Sequence, residues 1–454
     1  MKKIAVIILC ILLLTPAFTS CASQDIYVDD IKDETPLSIY LLEANDWADD
    51  DGPTLIGDHI KQYGYKKEEG LRDIEITWFA SEDIGAMYER IKNEMTLGKG
   101  PDLILIEPNT CKYLDLYKMD GLADMDRLIA NSESFNLEEY NQLVMDAGII
   151  NGTRVMIPWS YMFYLFEGHA EAFERCNVSI PDELTMESYC HMLEEFYQKV
   201  EHEPAMFGVP NDEDWIEANL LYPQFLELGE LLESSEEFKK LVDLMKVEYQ
   251  RKMNQEQVEF RDYDNRFYSS NSVLRRYGDY FSFYGLHTAY NFTVLYYEKE
   301  MLLLKQPLRE GMGVNKANVQ WGMAININSV HKNEAFKLIE YLLSTNIQNS
   351  RVKMIDLPVN IKGFEKQARL FKKGYGPNVS LEHLIPNQTA IPEALRNEHM
   401  QFIESADTCE YIGDKKYIYY NIMWPSIEGY YNDLMTFDQM IDEINNKLEI
   451  YYTE

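Results

Sequence analysis

Three clusters of polar and aromatic residues stand just after short apolar runs. Glu43, Asn45, Asp46 and Trp47 follow residues 37–42; Glu107, Asn109 and Lys112 follow 103–106; Trp159, Ser160 and Tyr161 follow 155–158. A carboxylate accepts hydrogen bonds, an amide donates and accepts them, and an aromatic ring offers an apolar face. That set suits a ligand with many hydroxyls and C–H faces, so a carbohydrate fits better than a purely apolar molecule. Loops beyond the carboxyl ends of parallel strands are also where sites form in open α/β sheets. Trp47, beside Asp49, Asp50 and Asp51, and Trp159, after Pro158, are each candidates for a ligand-facing ring, with core packing as the competing role. Tyr280, Phe281, Phe283 and Tyr284 fit pocket wall and core about equally well, whereas Trp215, Trp321 and Trp424 read as core.

Other chemistries find less support. The acidic stretch 45–58 fails as an EF-hand, because Gly52 at the sixth loop position would put Trp47 at the first. Cys111, Cys176, Cys190 and Cys409 form no CxxC pair and have no histidine at metal spacing, so neither a metal nor a cofactor is expected and buried thiols are preferred. No GxSxG, HExxH or P-loop occurs, and a glycosidase carboxylate pair would be invisible among 76 acidic residues. Enzyme activity therefore lacks positive evidence in the sequence, and no catalytic residue is expected.

The elements that must hold these clusters alternate. Residues 37–42, 74–79 and 103–106 have strand length and apolar content, and 82–97 between the last two repeats Ile84, Met87, Tyr88, Ile91 and Met95 at helical spacing. Gly98 closes that helix and Pro101 restarts the chain as strand, which makes a βαβ unit and a parallel sheet. Residues 155–158 add a strand, and helices dominate afterwards, over 186–200, 214–232 and 236–257. At 454 residues the chain is long enough for two large lobes. Its 42 basic against 76 acidic residues, a formal charge of -34, would repel a polyanion, so nucleic acid is a poor partner.

Lys2 and Lys3, the apolar run 4–14 and the approach to Cys21 have the layout of a secretory signal, too short to span a bilayer. Phe18-Thr19-Ser20-Cys21 resembles a bacterial lipobox, which implies removal of residues 1–20 and lipidation of Cys21. The acidic segment 21–35 then reads as a tether.

Residues 92–108, KNEMTLGKGPDLILIEP, resemble the helix-Gly-x-Gly-Pro-Asp-strand signature of family 1 extracellular solute-binding proteins, the lipid-anchored receptors of ABC importers. Residues 146–160, 331–360 and 439–454 are similar, in the same order, to that family's first interlobe crossing, late helix with Leu-Pro-Val, and terminal helix. The resemblance implies an α/β, two-lobed periplasmic-binding-protein-like fold, each lobe a mostly parallel sheet flanked by helices, the second lobe helix-rich. It places 36–157 with 304–330 in the N-terminal lobe and 161–300 with 333–454 in the other. It implies a monomer on the outer face of a bacterial membrane that delivers a sugar or oligosaccharide to ABC permease subunits. The implied ligand contacts are Glu43, Asp46, Trp47, Glu107, Asn109, Trp159, Tyr161 and Tyr280. A surface glycan hydrolase and a ligand sensor that feeds no transporter are the competing readings.

Overall fold

The computed structural model describes residues 35–42, 55–65, 73–79, 84–106, 112–169, 173–200 without 175 and 182, 217–254, 274–281, 301–349 without 314, 356–373 and 393–453. The strands are β1 (Leu37–Leu42), β2 (Ile74–Phe79), β3 (Leu103–Ile106), β4 (Ile149–Ile150), β5 (Thr153–Arg154), β6 (Ile157–His169), β7 (Leu274–Phe281), β8 (Met301–Lys305), β9 (Lys316–Ile325), β10 (Leu357–Pro358) and β11 (Thr408–Glu410). In the first half of the chain the helices are α1 (Leu55–Tyr65), α2 (Ile84–Thr96), α3 (Tyr113–Lys118), α4 (Met125–Asn131), α5 (Gln142–Asp146) and α6 (Met186–Lys199). In the second half the helices of six residues or more are α7 (Glu236–Asn254), α8 (Lys332–Leu342), α9 (Ile361–Lys372), α10 (Glu393–Glu404), α11 (Gly413–Ile418), α12 (Trp424–Tyr431) and α13 (Phe437–Thr453).

β1 lies between β2 and β3 and runs parallel to both, as the βαβ pattern requires. β3, Leu-Ile-Leu-Ile, is buried along its whole length, the mark of a strand covered on both faces. β9 enters beside β3 in the antiparallel sense, and β6 follows beside β9, also antiparallel, so the main sheet is mixed. The GKGPD stretch is a structural bracket. Gly98 takes a φ of 70° and the Lys99 N–H closes the end of α2 on the Glu94 carbonyl at 2.8 Å. Asp102 accepts from the Ser38 N–H at 2.8 Å and from the Ser329 hydroxyl at 2.6 Å, which ties the start of β1 to the turn after β9. Asn151 and Gly152, both at positive φ, make the two-residue turn that joins β4 to β5.

Two cores form. The first gathers β1, β3, β9, the start of β6 and helices α1, α2, α4, α8, α9 and α10; the second gathers α6, α7 and α11 to α13. β6 serves both. Ile157, Trp159, Tyr161 and Phe163 enter the first core, while Met162 and Tyr164, on the opposite face of the pleat, enter the second. Beyond Phe163 the same strand pairs with β7 and β8. Residues 333–404, expected in the second lobe, contribute Ala335, Phe336, Leu338, Ile339, Phe371 and Met400 to the first core. The reason is that α8 packs on α1, α4 and β9 directly after that strand ends, so no crossing occurs at 329–333. The chain changes from the first core to the second at 411–412, where Tyr411 packs on the first core and Ile412 belongs to the second.

Candidate functional site

Of the residues expected at the site, Glu43, Asp46, Trp47, Glu107 and Asn109 lie outside the described residues, as does Cys21. Tyr280 sits on β7, one position before Phe281, which pairs with Phe163 of β6. Trp159 and Tyr161, each 3% exposed, are packed in the first core rather than open to a ligand. The Trp159 indole donates to the Leu342 carbonyl at 3.0 Å, and its own carbonyl accepts from Gln348 at 3.0 Å. β6 is flanked by β9 and β10, and the face that carries Ile157, Trp159, Tyr161 and Phe163 is covered by the first core. Burial pushes the Tyr161 phenol well above its ordinary range, with a hydrogen bond from Asn141 opposing. Trp321 is buried in the first core and Trp424 packs on the second, as the sequence suggests.

A cavity of about 330 Å³ opens where the two cores meet, close to the carboxyl end of β3. The first core supplies Tyr113, Asp146, the backbone around Gly148, Val155 and Met156; the second side supplies Glu227 and Leu228; the stretch 409–411 with Asp414 and Lys415 closes it. Tyr411, half-buried, makes the aromatic wall, and the buried Tyr113 ring backs it edge to face at 4.8 Å. Gly322 of β9 keeps space for that wall, since a Cβ there would collide with the Met156 sulfur and the Tyr113 hydroxyl.

The charges around the cavity are organised in two groups. Lys316, 2% exposed, meets Glu410 at 2.6 Å, and Lys415 reaches the other carboxylate oxygen at 3.4 Å. Burial alone would raise the Glu410 carboxyl, but the two lysines outweigh it and hold it at about 2. Asp414, by contrast, is raised to about 7 by burial first, with the Asp115 charge adding to the rise; the Leu114 N–H, 3.0 Å away, and Lys112 oppose it. A carboxyl near neutrality can donate as well as accept a hydrogen bond. Asp146 is held by Arg154 at 3.0 Å, and Glu227 is exposed.

Sequence reasoning missed Tyr411, Glu410, Asp414 and Tyr113. Tyr113 follows Lys112, already noted after the third strand, and was within reach; the 409–415 stretch lies some three hundred residues away and carries no local motif. Among the described residues no group of three or more His, Cys, Asp or Glu side chains is placed to hold a metal ion. The Cys190 thiol is pushed up to about 12 by burial, which leaves it unreactive.

No family model matches the chain, and no curated protein matches it. Solved structures do. A candidate oligosaccharide periplasmic-binding protein from Synechococcus aligns with a TM-score of 0.61 at 14% identity, over 92% of this chain and 99% of that one. An ABC substrate-binding protein from Listeria monocytogenes, in complex with cycloalternan, aligns at 0.58 and 13% identity over 92% and 99%. The sugar-binding protein MalE from Xanthomonas citri aligns at 0.56 and 14% identity over 92% and 97%. With two cores joined through β6 and a cavity where they meet, the chain has the two-lobed α/β fold of periplasmic binding proteins.

Proposed function

We propose that the chain is an extracellular receptor that captures a sugar or oligosaccharide between its lobes and delivers it to an ABC permease, held at the membrane by a lipid on Cys21. The observation that carries this reading is the cavity whose walls come from both cores and combine carboxylates with tyrosine rings, the set that hydroxyls and C–H faces require. The similar structures of an ABC substrate-binding protein in complex with cycloalternan and of a sugar-binding protein support it. Glu43, Asp46 and Trp47, next after β1 in the chain, and Glu107 and Asn109, next after β3, are proposed to complete the hydroxyl-binding rim, with Tyr280 on the second-lobe side. The receptor acts as a monomer and performs no chemistry on its ligand.

A panel of neutral mono- and oligosaccharides, read by melting temperature, tests the proposal, because a ligand that binds only the native state raises it. Chromatography of the same mixtures should show intact glycans; cleavage would favour a hydrolase. With a ligand in hand, Tyr411→Ala should weaken binding about five- to thirty-fold, the loss of one ring contact of about 1–2 kcal/mol. Unchanged affinity would remove this cavity as the site.

A further inference from the structure

α3 belongs to the first core and α11 and α13 to the second, and between them lies a joint built around a carboxylate withdrawn from water. Asp414, at the start of α11, is 2% exposed and accepts from the Leu114 N–H of α3 at 3.0 Å. Around it the two sides interlock. The Lys112 ammonium sits 3.4 Å from the centre of the Tyr417 ring, the Tyr451 hydroxyl donates to Asp115 at 3.1 Å, and Lys118 lies 5.0 Å from the Tyr452 ring.

The groups that face Asp414 offset its burial only in part: the Leu114 and Tyr113 N–H groups at the head of α3 and the Lys112 ammonium favour the carboxylate, and burial with the Asp115 charge outweighs them. On α3 Asp115 repels its charge and, just before that helix, Lys112 attracts it; on α13, Tyr451 and Tyr452 feel its charge as one that raises their own phenols. On its own element Lys415 is engaged by Glu410. Tyr113 and Tyr411, with Asp146 and Glu227, line the cavity on its open side. A seated, charged Asp414 therefore costs free energy that a hydrated one does not.

We propose that this joint is a proton-linked clasp between the lobes: Asp414 carries a proton while α11 rests on α3 and yields it to water when the helices part, so mildly acidic solution favours the closed joint. Burial lifts this carboxyl from 3.8 to about 7, and between those values the seated form holds a proton that the hydrated form has lost. Parting the helices then releases one proton. The opening constant rises by up to about tenfold per pH unit as the pH climbs through that window and is level above it.

The clasp stands on the joint alone, so a failed saccharide screen leaves it untouched and its own failure leaves the ligand reading untouched. The test is hydrogen exchange of the segment 112–118 in the full chain without ligand, from pH 5 to 8, corrected for the intrinsic rate at each pH. The wild type should lose protection by about tenfold per unit up to pH 7 and then level off, and Asp414→Asn should show no slope. A flat wild type, or an Asn variant that keeps the slope, overturns the proposal. Asp115→Asn, which retains an acceptor for Tyr451, should move the levelling point to lower pH; an unmoved point overturns it too, and this variant decides the matter if Asp414→Asn does not fold.

Discussion

Glu410→Gln tests whether the lysine pair beside the cavity is held in place by one charge. At an effective dielectric of about 20, the attractions of Glu410 to Lys316 at 2.6 Å and Lys415 at 3.4 Å are about 6 and 5 kcal/mol, before desolvation of all three groups. What survives that cost is visible in the carboxyl itself, whose drop from 4.5 to about 2 corresponds to about 3 kcal/mol of stability. Removing the charge also strands Lys316, 2% exposed, so the variant should lose about 3–5 kcal/mol at pH 7. The pH dependence has a definite sign. A depressed carboxyl contributes fully above 4.5 and loses its contribution as pH falls toward 2, so about 2 kcal/mol of the gap between wild type and variant should close by pH 3. Comparison at matched pH cancels the opposite slope of Asp414. Urea unfolding at pH 7 and pH 3 measures both quantities. Adding Lys316→Met should restore part of the loss, since the stranded ammonium is then gone. A cost below about 1 kcal/mol at pH 7, or a gap that does not narrow in acid, would refute the reasoning.

Trp159→Ala should cost about 3–5 kcal/mol through an emptied core site and a lost bond to Leu342, read as a fall in urea midpoint; a stable variant with weakened sugar binding would restore the ring to the ligand site. Gly148→Ala would set a Cβ against the Met156 carbonyl, part of the backbone, and should cost about 3 kcal/mol with loss of the cavity's shape; an unchanged melting curve would show that the segment 153–156 can shift. Cys21→Ala should release the protein into the medium, and detergent partitioning of the mutant with the membrane would disprove the anchor.

Local signals were legible where local forces decide. β1, β2 and β3 fall on the three apolar runs, and α2 ends beside Gly98, because strand burial and a left-handed cap leave marks within a few residues. Of residues 214–232, read as a helix, the described part from 217 onward holds instead a π turn at Glu217–Leu221 followed by a 3₁₀ turn at Tyr222–Phe225. There Glu217, fully buried, accepts from the hydroxyls of Tyr419 at 2.7 Å and Tyr431 at 2.9 Å, partners two hundred residues away that no periodicity announces. The helix at 332–342 falls within the stretch whose resemblance implies a late helix, yet a helix's presence does not say which core it will face. Trp159 shows the same limit. A tryptophan after proline at a crossing looks like a site residue until the alternation along β6 settles which side it takes.

The late arrival of β9 bears on how the polypeptide is made. β3 needs β9 as its second neighbour, and 210 residues separate Ile106 from Lys316. At about 5–20 residues per second a ribosome takes about 10–40 s to supply that strand, and α10 comes later still. Throughout that interval the Leu-Ile-Leu-Ile edge has no native mate, and the first core cannot set. A nascent chain in this condition stays open to aggregation. Truncated forms that stop short of residue 325 are therefore expected to be lost to proteases or inclusion bodies rather than to yield an isolated amino-terminal lobe.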